Sequence, residues 1–484
     1  MSNVISSSLN VETWSTELQG DPDREFLLHG IREGFSLIDP DISFDTIADV
    51  EENNYRSATS KTNKPIIEKQ LINEILEGNY KFVKHKPKIV SALGSVPKPQ
   101  SSDLRIIHDC SRPVGASLNT YASLDKERYQ SVDEAVKLSK KNCFYAKVDL
   151  KSAYRSVKIH PSNFDLTGIK WQFDGEEDPS YLVDTKLPFG ARKSPAIFHR
   201  LTQSVRRMMA GRGFKSVVVY LDDFLVIGDT REECFTAYNT LISLLRDLGF
   251  YINWKKVIDP TQRIIFLGIC LNSLTCQLEL PQDKCDDLMH ELNKFLDKKR
   301  ATKKQLQSLA GKLNWACQAI RGGRTFLRRI LDAQNCLKQA YHKLKLTSEF
   351  YADILWWKKC MLILNGKNMF INDVVADRVE VDACNMGAGM SFRSDWAYLN
   401  WELDWEGTKS LHINFKETLA IIGAAKRWGP LWRNKVVFIH TDNQCAKQII
   451  NKGTTKNSFV MSQIRELFML DFLVDTPAQN NSLY

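Results

Sequence analysis

The stretch VVVYLDDFLVIG, residues 217–228, sets two aspartates side by side between short runs of valine, isoleucine, tyrosine and phenylalanine. Both runs have the composition of strands, so a hairpin is expected, with Asp222 and Asp223 at its tip. Adjacent like charges repel, and a tight hairpin is better served by Asn-Gly or Asp-Gly. The pair is therefore either a solvated surface turn or part of a site for a divalent cation, which turns the repulsion into binding. Mg²⁺ takes oxygen ligands, usually a few carboxylates together with substrate phosphates. The second reading thus requires a third carboxylate elsewhere in the chain.

With 484 residues, 43% of them hydrophobic and 25% charged, the chain has room for two to four domains with cores of ordinary composition. No apolar run approaches the length needed to span a bilayer, and the opening MSNVISSSLNVETWSTELQG lacks the basic and apolar regions of a signal peptide. The eleven cysteines show no CxxC pair and no regular Cys/His spacing. They read as reduced thiols, which sets expectations of a protein that is not secreted, resides in cytoplasm or nucleus, engages no membrane and holds no zinc. Net charge is +9, and residues 282–360 alone hold 17 Lys and Arg against 8 Asp and Glu. A basic helical segment among otherwise balanced ones suits a phosphate backbone, although a solvated lysine-rich face or a nuclear-localisation patch has the same composition.

The order of patterns predicts a large α+β body, a basic helical connector and a smaller α/β domain. The first 60 residues are polar apart from DREFLLHGIREGFSLI, a short helix. KPIIEKQLINEILEGNYKFV reads as an amphipathic helix with Ile66, Ile67, Leu71, Ile75 and Leu76 near one side.

The third carboxylate is found in FYAKVDLKSAYRSVKIH, where an apolar strand leads into Asp149. With Asp222 and Asp223 it would hold two Mg²⁺ ions, or Mn²⁺ in their place, activating a primer 3′-OH and stabilising the pyrophosphate leaving group. Tyr154 follows five residues later. It is either a core tyrosine or a ring beneath the incoming sugar that leaves no room for a 2′-hydroxyl. LPFGARKSPAIFHRLTQSV is either a structural turn into a helix, with Pro195 in its first turn, or a site where Phe189 packs beside a nucleotide and Gly190 lets the backbone approach it. Upstream, Lys98 and Arg105 are either surface residues or cations that grip triphosphate oxygens, Arg105 through its planar fork.

Five ordered blocks, LRIIHD, KVDLKSAY, LPFGARKSPAIF, YLDD and FLGI, resemble the reverse transcriptases of retroelements. REFLLHGIREGF, LPQDK and LAGKLNWACQAIRGGRTFLRRI make the chain most similar to the DIRS-type group, over about residues 20–460. The resemblance implies that Asp149, Asp222 and Asp223 bind metal, that Tyr154 is a sugar gate, and that Lys98 and Arg105 contact triphosphate. It further implies that Lys255 or Lys256 protonates pyrophosphate and that FLGI holds the primer end.

Towards the C-terminus, VEVDACNMGAGM reads as a strand carrying Asp382. NFKETLAIIGAAKRWG is a helix capped by Asn414, with Glu417 in its first turn. VVFIHTDNQCAKQII is a strand ending at Asp442. Together these resemble a ribonuclease H domain, whose first three acids Asp382, Glu417 and Asp442 match and which cuts the RNA strand of a hybrid with two metals. That family continues into a final strand and a helix bearing a fourth acid. FMLDFLVDTPAQNNSLY shows neither, with Asp471 and Asp475 too early, so the domain is expected to be clipped and its activity partial or lost.

The resemblance implies a polymerase right hand of fingers, palm and thumb with a helical connector, followed by a truncated α/β ribonuclease H-like domain. The expected divisions are a polar extension at 1–60, fingers and palm at 61–275, thumb and connector at 276–377, and the last domain at 378–484. Expected partners are an RNA template, a DNA primer, their RNA–DNA hybrid and dNTPs. The rival reading is a decayed, non-catalytic nucleic-acid binder. An RNA-dependent RNA polymerase shares the metal chemistry but conflicts with Tyr154.

Overall fold

The structure is a computed structural model that describes residues 9–97, 103–123, 127–320, 322–364, 368–369, 376–432, 436–474 and 482–483. The chain folds into two compact units, Met1–Ser139 with Cys143–Gln262, and Lys140–Asn142 with Arg263–Tyr484. No helix among the described residues is long and apolar enough to cross a membrane, and all eleven cysteines are free thiols.

In the first unit, one sheet is built from β1 (Val50–Glu51), β2 (Tyr80–Val83), β3 (Ile89–Pro97), β4 (Leu104–Asp109), β6 (Gly168–Trp171) and β7 (Ser180–Asp184). Its order is β1-β3-β6-β7-β2, with β4 paired to β3. The amphipathic helix Lys64–Leu76 covers this sheet through Ile67 and Leu71, both fully buried, whereas Ile66 and Leu76 face solvent. The second sheet contains β5 (Phe144–Asp149), β8 (Val217–Tyr220), β9 (Asp223–Gly228) and β10 (Ile258–Thr261), in the order β10-β5-β9-β8 and antiparallel throughout. Helices Ser194–Gly211 and Arg231–Asp247 share its core, so Ala146, Val148, Phe224 and Val226 are all out of water.

The β8–β9 turn differs from the expected hairpin tip. Tyr220 pairs with Asp223, which leaves Leu221 and Asp222 as a two-residue turn and makes Asp223 the first residue of β9. A two-residue turn demands a left-handed φ at its first residue. Leu221 supplies it at +51°, a conformation costly for a residue with a Cβ.

The segment expected as a polar extension contributes to the core of this unit. Helices Val11–Glu17 and Arg24–Glu33 bury Trp14, Leu18, Leu27 and Ile31 in the same cluster as Phe224 and Val226. The Trp14 indole donates to the Leu248 carbonyl at 3.0 Å. Arg207 bridges Asp21 and Asp23, and Arg200 also holds Asp23. Trp14, Leu18, Leu27 and Ile31 are nearly or fully out of water although the segment is polar on average, so the average concealed them. Trp14→Ala should therefore cost about 3–5 kcal/mol, read as a lower midpoint when the full chain is unfolded in urea.

A buried ion network ties the turn Ala153–Ser156, which follows β5, to the first sheet. Arg155 donates from Nη1 to both carboxylate oxygens of Asp184, at 2.8 and 2.7 Å, and its Nε lies 3.0 Å from Glu74. Asp184 is fully buried, and the Tyr80 ring packs against the guanidinium.

The second unit begins with a sheet of β11 (Arg263–Phe266), β12 (Ile269–Asn272), β13 (Gln277–Glu279) and β16 (Asn368–Met369). FLGI is the β11–β12 turn, with Leu267 and Gly268 both at positive φ. Because β11 pairs only within this sheet, the division between units falls after Gln262, not near residue 275. Helices Gln282–Leu296, Lys303–Ala316, Gly323–Asn335 and Ser348–Leu364 follow, with a ribbon of β14 (Arg300–Thr302) and β15 (Lys343–Lys345).

A five-stranded sheet, β17 (Ala376–Ala383), β18 (Gly387–Phe392), β19 (Asp395–Asn400), β20 (Val436–His440) and β21 (Ser482–Leu483), completes the unit in the order β19-β18-β17-β20-β21. β17, β20 and β21 run parallel. The last strand corrects the expectation that none would form. It is two residues long and needs only backbone hydrogen bonds to β20, so side-chain pattern does not announce it. Helices Ile413–Trp428, Gln444–Lys452 and Ser458–Val474 share the core of this sheet.

Candidate active site and a second acidic cluster

Asp149 closes β5 and lies directly opposite Asp223 in the β5–β9 ladder. Asp222 is held to the same strand end, its carbonyl accepting from the Leu150 amide at 3.2 Å. The three acids widely separated in sequence therefore meet at one edge of one sheet. Asp149 is only 2% exposed. Its Oδ1 accepts from Asn253 Nδ2 at 2.8 Å, its Oδ2 from Lys256 Nζ at 3.0 Å, and its carbonyl from the Asn253 amide at 2.8 Å. Lys147 Nζ sits 2.9 Å from Asp223 Oδ1.

The electrostatics are those of crowded carboxylates. Burial, then the charges of Asp223 and Asp149, push the Asp222 carboxyl above its ordinary value. Asp223 is raised by burial against the opposing charge of Lys147, with Asp149 adding to the rise. Lys256 loses some basicity to burial but regains more from Asp149 and the two neighbouring acids, so its amine is raised. Two ammonium groups thus partly balance three carboxylates, and the donor set is oxygen throughout. Both properties fit a divalent cation, which would relieve the remaining repulsion.

Tyr154 is 8% exposed and stacks on Phe189, with ring centroids 5.0 Å apart and planes 27° apart. Phe189 itself is 58% exposed. Burial raises the Tyr154 phenol most, and Tyr129, Asp222 and Tyr220 add to it. Gly190 has a structural reason beyond the one expected. A Cβ there would stand 1.8 Å from the His108 carbonyl oxygen, so the close approach it permits is to β4. Asn119 secures that loop by donating to the Gly190 carbonyl at 3.0 Å and accepting from the Arg192 amide at 2.7 Å.

Arg105 is exposed on β4, opposite Val96. Lys98 lies outside the described residues. The structure separates the two adjacent lysines, since Lys256 reaches Asp149 while Lys255 is exposed with no such contact. Sequence reasoning missed Lys147 and Asn253. Lys147 carried a signal, because it lies two residues before Asp149 and so shares its face of the strand. Asn253 carried none. It arrives through the loop that the Lys151 amide pins to the Tyr251 carbonyl at 2.8 Å.

In the second unit, ligand oxygens of Asp382, Glu417 and Asp442 lie within 4.8 Å of one another. Asp382 stands near the end of β17, Glu417 on the helix Ile413–Trp428, and Asp442 just beyond β20. The helix is capped by His412, whose Nδ1 accepts from the Asn414 amide at 3.2 Å, and not by Asn414. Glu417 consequently falls in the second turn. Asn414 instead accepts from Asn443 Nδ2 at 2.9 Å. Glu417 is 3% exposed and accepts from the Ala383 amide and the Thr441 hydroxyl. Burial, opposed by the Ala383 amide and reinforced by the charges of Asp382 and Asp442, raises its carboxyl.

Residues 96–271 match the family model for reverse transcriptase (RNA-dependent DNA polymerase). Every residue expected at the first site, from Lys98 to Lys256, falls inside this reverse transcriptase match, and Asp382, Glu417 and Asp442 fall outside it. A putative enzymatic polyprotein of Cassava vein mosaic virus is 25% identical over 376 residues, covering 72% of this chain and 52% of the polyprotein. The Gag-Pol polyprotein of Koala retrovirus is 27% identical over 179 residues, covering 36% of this chain and 10% of its own length. The chain thus spans about half the length of the first of these relatives and a small part of the second. Among solved structures, the foamy viral protease-reverse transcriptase in complex with dsDNA aligns with a TM-score of 0.58 at 17% identity, covering 97% of this chain and 96% of that one. The same viral protein in complex with an RNA/DNA hybrid aligns with a TM-score of 0.56 at 16% identity, covering 97% and 62%. At that identity the likeness is one of fold.

Proposed function

We propose that the chain is an RNA-directed DNA polymerase of a retroelement, of the DIRS type by its flanking blocks, that adds dNTPs to a DNA primer on an RNA template. The observation that carries this is the meeting of Asp149, Asp222 and Asp223 at one sheet edge. These three would hold Mg²⁺, or Mn²⁺ in its place. The metal supplies charge neutralisation and polarises the oxygens exchanged at phosphorus. Asn253 keeps the Asp149 carboxylate oriented. Lys256, held beside the site by Asp149 Oδ2, would be the proton donor towards pyrophosphate. Arg105 and Lys98 bind triphosphate oxygens, and the Tyr154–Phe189 stack forms the floor under the sugar.

The second cluster we read as a ribonuclease H-like centre, in which Asp382, Glu417 and Asp442 would hold metal for hydrolysis of the RNA strand of the hybrid. Its support is the convergence of three acids from three elements around a parallel pair of strands.

Primer extension on an RNA template tests the polymerase reading. Mg²⁺-dependent incorporation of dNTPs by the full chain is expected, and binding without any synthesis would favour the non-catalytic alternative. Removing the gate should relax sugar choice. Tyr154→Ala is expected to raise rNTP incorporation relative to dNTP by roughly 10–200-fold, the discrimination that steric differences of this size supply. Unchanged discrimination in single-nucleotide extension would refute the gate.

A further inference from the structure

The β14–β15 ribbon sets like charges against each other. Arg300 pairs directly with Lys345, and Thr302 with Lys343. Directly opposed like charges destabilise a strand pair. Alternation along the strands puts Ala301, fully buried, on the inner face, and Arg300, Lys343 and Lys345, all exposed, on the outer one.

Among the described residues, no ion pair holds Arg300, Lys343 or Lys345. The adjoining segments 298–304 and 338–345 hold eight Lys and Arg and no Asp or Glu. Other cations of the same unit are neutralised: Arg328 by Asp332, Arg329 and Arg465 by Asp353, and Lys312 by Glu291. Beside the ribbon, Tyr341 is 74% exposed, an aromatic surface next to the cations. A two-stranded ribbon too short for a core of its own retains an arrangement that opposes its pairing.

We propose that the outer face of β14–β15 docks the phosphate backbone of nucleic acid, with Arg300, Lys343 and Lys345 as direct contacts. The partner's identity as the RNA–DNA hybrid rests on the polymerase reading above. Lys343 and Lys345, two residues apart on one strand, stand about 7 Å from each other, on the order of the spacing of successive phosphates. The repulsion across the ladder is relieved when an anionic strand lies over it, and phosphate contacts of this kind hold without reading sequence.

Lys345→Glu tests this because it turns the opposed pair into an attractive one. In the full chain the thermal midpoint should stay the same or rise. Hybrid binding, measured in EDTA so that no synthesis occurs, should weaken roughly tenfold at low salt. The slope of log affinity against log salt should flatten by about one, since each lost phosphate contact removes about 0.9. Lys284→Glu, on the exposed start of helix Gln282–Leu296, makes the same change in net charge and should move the slope far less. An unchanged slope for Lys345→Glu, or equal effects of the two variants, would overturn the proposal, as would preferential loss of binding to an acidic protein surface. The two readings fail separately. A chain that binds hybrid through the ribbon yet never extends a primer contradicts the polymerase assignment alone, whereas robust extension with an unaffected Lys345→Glu slope contradicts the ribbon alone.

Discussion

Asp222→Asn is expected to lower primer extension on an RNA template by about 10²–10³-fold or more while leaving the fold as stable as before, or slightly more so. Both halves come from the same electrostatics. Asp222 is pushed up by burial and by two neighbouring carboxylates, so removing its charge relieves repulsion that folding must otherwise accept. The substitution also leaves the two lysine pairs intact, because Lys256 binds Asp149 and Lys147 binds Asp223. An inactive variant that unfolds at the same or a higher temperature therefore separates function from structure. Loss of activity through a lowered thermal midpoint would mean that Asp222 is a scaffold residue, and full activity would remove it from the site.

The second large effect concerns stability. Asp184→Ala is expected to cost about 3–5 kcal/mol, because it strands the Arg155 guanidinium in the interior. That is a large share of the roughly 5–15 kcal/mol that holds a domain together, and it should appear as a much lower urea midpoint. Arg155 keeps Glu74 at 3.0 Å, but that acid is partly exposed and cannot replace two short bonds to a fully buried carboxylate. Burial raises the Asp184 carboxyl even beside the guanidinium, so the pair fixes the turn Ala153–Ser156 on β7 more than it adds net stability. A double replacement, Arg155→Met with Asp184→Leu, should accordingly recover much of the loss. If the single substitution is mild, the interior tolerates the unpaired cation and the network is not the joint described.

How much of this was legible in the sequence depends on how local each cause is. Asp149, Asp222 and Asp223 announce themselves because strand composition and paired charge are short-range signals. The ladder that sets Asp149 opposite Asp223 is long-range, yet strand direction and length already constrain it. Asp382, Glu417 and Asp442 were found in the same way, from acids at the ends of elements. The misses have the opposite character. Trp14 and Leu27 belong to a core formed with strands two hundred residues away, and a polar average over the segment hides them. Asn253 and the choice between Lys255 and Lys256 depend on how a loop returns to β5. The cap at His412 rather than Asn414 is a shift of two residues, with the His412 side chain accepting from the Asn414 amide. The break after Gln262 reflects which strands pair, and β21 forms through backbone bonds that no side chain signals. Gly190 was legible as a tight approach, but its partner, the carbonyl of His108, was not.

The account rests on three carboxylates and two lysines that share one sheet edge. Anomalous diffraction from crystals of the full chain grown with Mn²⁺, primer–template and a non-hydrolysable dNTP addresses that directly. The prediction is a manganese signal ligated by Asp149 and by at least one of Asp222 and Asp223. No manganese at that edge while the nucleotide is in place would contradict it.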